Sequence, residues 1–74
     1  MDDATLNTLL TQYLREMRVR LDQVAGIAKA AEACADAGNI PKAIEIALDV
    51  EQPIYEVTTF LNAASLMNRI GRQE

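Results

Sequence analysis

Apolar residues recur every three or four positions along almost the whole chain, and only one short segment interrupts them, Ala37-Gly38-Asn39-Ile40-Pro41. The first run comprises Leu10, Leu14, Met17, Leu21, Val24, Ala28, Ala31 and Ala35; the second comprises Ala43, Ala47, Val50, Ile54, Val57, Leu61 and Ala64. This spacing keeps side chains on one face of an α-helix for many turns. It predicts an all-α fold, an antiparallel helical hairpin with a helix over about 3–37, a turn at 38–40 and a second helix over about 41–70. Residues at a seven-residue recurrence flank each stripe and widen it: Leu6, Tyr13, Ile27 and Cys34 on the first, with Arg20 in the equivalent place, and Ile46, Phe60 and Met67 on the second.

The punctuation agrees with this layout. Asp2 and Asp3 stand where carboxylates accept the unpaired amides of a first helical turn and complement the positive end of its dipole. Gly38 suits the left-handed residue that ends a helix, Asn39 suits the cap of the next, and Pro41 suits its first turn. So short a connection makes the two helices antiparallel neighbours. Gly26, in mid-helix, costs about 1 kcal/mol relative to alanine, and either a close helix approach or a bend would account for it. Pro53 predicts a kink in the second helix: the rhythm Val50, Ile54, Val57 passes through it in phase, as one continuous helix would require. Gly71, followed by Arg72, marks the stop.

Seventy-four residues accommodate one domain, 1–74. Aromatic residues make up only 4% of the chain, so the core is aliphatic. Two helices shelter each other on one side only, and Leu9, Val19, Ile44, Leu48, Tyr55, Leu66 and Ile70 lie outside both stripes. Large apolar patches are uncommon on monomers. Two hairpins closing face to face into a four-helix bundle are therefore expected, with two-fold symmetry. The candidate residues for a dimer or partner interface are Leu6, Leu9, Leu10, Tyr13, Leu14, Met17, Leu48, Ile54, Tyr55, Phe60, Leu61, Leu66, Met67 and Ile70.

The net charge of −4 argues against a nucleic-acid binder, which gains affinity by neutralising phosphates. The one basic cluster, Arg15, Arg18 and Arg20, reads first as surface residues pairing with acids on the returning helix and second as an RNA contact. The opening Met1-Asp2-Asp3-Ala4 has neither the basic nor the apolar region of a secretory signal, and no apolar run approaches the ~20 residues of a membrane span. A cytoplasmic protein without a membrane partner is expected. The chain has no histidine and one cysteine, Cys34. It therefore lacks the commonest neutral-pH base and metal ligand, and neither a metal site nor a cofactor is expected. Cys34 has no adjacent base and reads as a small side chain beside the seam. Glu45, Asp49, Glu51 and Glu56 read as solvated charges. No catalytic residue is assigned.

The leading expectation is a small non-enzymatic interaction, regulatory or accessory protein that presents an apolar helix face and binds itself and another protein. The segment Gly38-Asn39-Ile40-Pro41-Lys42-Ala43-Ile44-Glu45, followed by Pro53, also resembles the middle of a tetratricopeptide repeat. The resemblance spans at most half the chain and lacks that family's large aromatic positions. It implies a peptide- or chaperone-type binding module with a break at Pro53.

Overall fold

The computed structural model describes residues 2–72. Helix α1 spans Asp3–Asp36; the returning arm consists of α2, Ile40–Ala47, a 3-10 turn at Leu48–Val50, and α3, Glu51–Gly71. The Asp2 carboxylate caps α1, accepting the Thr5 amide at 2.8 Å and the Thr5 hydroxyl at 3.0 Å. The backbone bond from Thr5, reinforced by the hydroxyl, holds the Asp2 carboxyl below its ordinary value. At the other end Gly38 adopts φ 91°, its amide donates to the Ala35 carbonyl at 2.9 Å, and the Asn39 amide donates to Cys34 at 3.1 Å. This paired bonding satisfies carbonyls that α1 would otherwise leave open, and it requires a left-handed residue that glycine supplies without strain. The Asn39 side chain then accepts the Lys42 amide at 3.1 Å, and Pro41 lies in the first turn of α2.

The chain irregularity expected at Pro53 lies upstream of it. The 3-10 turn occupies Leu48–Val50, and Pro53 is the third residue of α3. In a first turn the amides have no intrahelical acceptor, so the amide that proline lacks is not missed there. Backbone angles are helical at Ala47, Leu48, Val50 and Glu51. The second arm is therefore one rod lying along α1, and the break that the tetratricopeptide reading implies does not occur. A Cβ at Gly26 would meet nothing within 4 Å, so close helix approach does not account for this glycine; α1 is continuous through it.

The arms run antiparallel, with Leu6 against Gly71, Tyr13 against Phe60 at 5.8 Å between ring centroids, and Arg20 bonded to Glu56. On α1 the side chains closed in by the other arm are Leu6, Leu10, Tyr13, Met17, Arg20, Val24, Ile27, Ala31 and Cys34. On the second arm they are Ala43, Ile46, Val50, Pro53, Val57, Phe60, Ala64, Met67 and Gly71. Both sets step alternately by three and four residues, the rhythm of a coiled-coil seam. The molecule is a rod of 57 × 15 × 11 Å with a radius of gyration of 17.0 Å. A compact domain of this length would have a radius near 11 Å.

Candidate functional site

Only half of each sequence stripe enters the seam. Leu10, Met17, Val24 and Ala31 face the opposite arm, whereas Leu14, Leu21 and Ala28 are exposed. On the second arm Ala43, Val50, Val57 and Ala64 face inward, while Ile54 and Leu61 are exposed. The residues read as flanking the stripes, together with Pro53 and Gly71, supply the rest of the seam. Which side of the hairpin the excluded residues occupy follows from Arg20. Its Nη1 donates to Glu16 Oε1 at 2.7 Å and its Nε to Glu56 Oε1 at 3.0 Å. Glu16 and Glu56 therefore share one broad face. The positions immediately across the seam from them, Leu14, Leu21, Ala28 and Ala35 with Ile40, Ala47, Ile54 and Leu61, share the other.

The two broad faces differ in chemistry. On the charged face, Arg20 lies 4.7 Å from the centroid of the Phe60 ring while its head is held by the two glutamates. Hydrogen bonds from Gln52 and then Arg20 keep the Glu56 carboxyl below its ordinary range. Bonding first to Glu16 and then to Glu56 raises Arg20 further. On the apolar face the antiparallel heptad register sets Leu14 at the level of Leu61, Leu21 at that of Ile54, Ala28 at that of Ala47, and Ala35 at that of Ile40. Their large members remain between 45% and 56% exposed. A polar end bounds this face, where Arg72 donates to Asn68 at 2.7 Å and to Asn7 at 2.8 Å, with Asp3 at 3.9 Å.

The candidate interface residues thus separate into three groups. Leu6 is a correction: it is 0% exposed, and a Cβ on Gly71 would stand 2.8 Å from its Cδ2, so it has no surface left for a partner. Leu10, Tyr13, Met17, Phe60 and Met67 are half-buried in the hairpin's own seam, and Leu9 is half-buried on the charged side. Leu14, Ile54 and Leu61 form the apolar face, while Leu48, Tyr55, Leu66 and Ile70 are exposed away from it. The expectation missed Leu21 and Ile40, which complete that face. Counting sevens from Leu14 and from Ile54 would have found both.

Among the described residues no group of histidine, cysteine and carboxylate side chains is arranged to hold a metal, and no helix is long and apolar enough to cross a membrane. Cys34 is half-buried, with its Sγ 3.5 Å from the Asn39 carbonyl. The three arginines do not form one patch. Arg15 bonds to Gln12, Arg18 pairs with Asp22 on its own helix at 2.8 Å, and only Arg20 reaches the returning arm. No protein-family model, curated protein or solved structure matches the chain.

Proposed function

We propose that this protein is a non-enzymatic interaction module that works by pairing its apolar broad face with that of a second copy, giving a four-helix bundle. The observation that carries this reading is the exposure of Leu14, Leu21, Ile40, Ile54 and Leu61, which helical phase puts on one face of the hairpin. Its area points the same way. The chain exposes 5240 Å², whereas a compact protein of its mass exposes about 4,500 Å². The excess, roughly 700 Å², is close to the ~800 Å² that each partner buries in a standard interface. Hydrophobic contact of this kind is the usual route by which amphipathic hairpins complete a core.

Sedimentation equilibrium from low micromolar to millimolar protein tests the reading. A dimer is expected, and Leu21→Glu with Ile54→Glu should convert it to a folded monomer, because both positions are exposed in the hairpin. A wild-type protein that stays monomeric throughout this range would overturn the proposal.

A further inference from the structure

Resting on the dimer reading above, we infer that the second copy lies head to tail, with its turn end against the open end of the first. The apolar face is graded in bulk. Leu14 with Leu61 and Leu21 with Ile54 are its large levels, Ala28 with Ala47 its small one, and Ala35 with Ile40 is mixed. Successive levels lie seven residues apart, about 10 Å along the rod. If both turns lay at one end, each level would meet itself. The four-alanine layer would then call for helices about 8 Å apart and the leucine layers for about 10 Å, within one heptad. Head-to-tail seating about a two-fold axis between the second and third levels removes this conflict. Leu21 and Ile54 of one copy then meet Ala28 and Ala47 of the other, and Leu14 and Leu61 meet Ala35 and Ile40. The polar end of Asn7, Asn68 and Arg72 overhangs into solvent, whereas turn-together seating would stack it on itself.

The rim distinguishes the two seatings by charge. Head to tail, Arg18 of one copy stands opposite Glu32 of the other, twice, and the two Glu51 carboxylates approach each other at the axis. With turns together, Arg18 faces Thr58, Glu32 faces Ile44 and Glu51 faces Ala25.

Spin labels on Thr8→Cys in a Cys34→Ala background measure the seating, since Thr8 is exposed near the open end. A separation of about 50 Å is expected from the rise of 1.5 Å per residue. A separation of about 25 Å in a dimer, or a broad distribution spanning both, would overturn the inference while leaving the dimer intact. Loss of any dipolar coupling together with monomeric mass would instead overturn the reading on which it rests. Charge exchange gives an independent readout. Arg18→Glu should weaken the dimer several-fold, Arg18→Glu with Glu32→Arg should restore it, and Glu51→Gln should tighten it. Failure of the double variant to restore affinity would also count against head-to-tail seating.

Discussion

Replacing Gly26 and Gly71 by alanine, one at a time, should move stability in different directions although both glycines lie in helices. A Cβ at Gly26 meets nothing within 4 Å, and the residue is exposed in mid-helix. Gly26→Ala therefore gains the full helix-propensity difference, about 1 kcal/mol. For a domain of this size that raises the melting temperature by roughly 4–8 °C. At Gly71 the new Cβ would stand 2.8 Å and 3.0 Å from the two methyls of Leu6. Leu6 is 0% exposed, so its side chain would have to shift within the hairpin to make room. Overpacking of this kind costs about 1–3 kcal/mol, which cancels or exceeds the helix gain. The assay is thermal and urea unfolding at one fixed protein concentration, because association would otherwise shift the midpoints. Leu6→Ala alone should cost about 2–5 kcal/mol. In that background Gly71→Ala should change sign and become stabilising, a coupling of at least about 1 kcal/mol. Equal gains at both glycines, or additive behaviour of Leu6→Ala with Gly71→Ala, would refute the assignment of Gly71 as the space that Leu6 fills.

Leu14→Ala should weaken self-association about 30-fold by sedimentation. Burying the exposed half of a leucine is worth about 1 kcal/mol, and it counts twice in a symmetric dimer; an unchanged Kd would place Leu14 outside the interface. Glu56 ionises more readily in the folded protein than at its ordinary value of 4.5. Its contribution is therefore fully present above that pH and is lost as pH falls through the lower folded value. Urea midpoints measured from pH 7 down to pH 3 should fall less steeply in Glu56→Gln, with the remaining slope including that of the Asp2 cap; an identical slope would deny Glu56 the role. Arg20→Lys keeps the charge but loses the planar fork that reaches Glu16 and Glu56 together. It should lower the urea midpoint at pH 7, and a midpoint equal to wild type would show that the bridge contributes nothing.

The hairpin was legible because its signals are local. Asp2, Gly38, Asn39 and Pro41 each act on backbone groups within five residues, so their chemistry can be read without knowing what lies across the seam. The seam itself was harder to read, because Leu10 and Met17 are common to two overlapping rhythms, one continuing through Leu6 and Tyr13 and the other through Leu14 and Leu21. Hydrophobicity alone does not choose between these rhythms. Shape does, through the Leu6 contact with Gly71 and the Tyr13–Phe60 pair, and these join residues distant in sequence. Arg20 was read as pairing with acids on the returning helix, as its bond to Glu56 shows; the seam position that lets Glu16 of its own helix share it was not legible. Pro53 was placed in phase correctly, but the backbone change was assigned to the proline, whereas the 3-10 turn lies just before it at Leu48–Val50.

The ion cluster of Glu16, Arg20 and Glu56, on the broad side away from Leu14, Leu21, Ile54 and Leu61, would limit the growth of the proposed assembly. In the proposed pair each molecule would turn outward the surface that carries Glu16, Arg20 and Glu56, and a third molecule arriving there would have to strip water from ions already satisfied. A rod that was oily on both sides would stack without end; the pairing proposed above would stop at two.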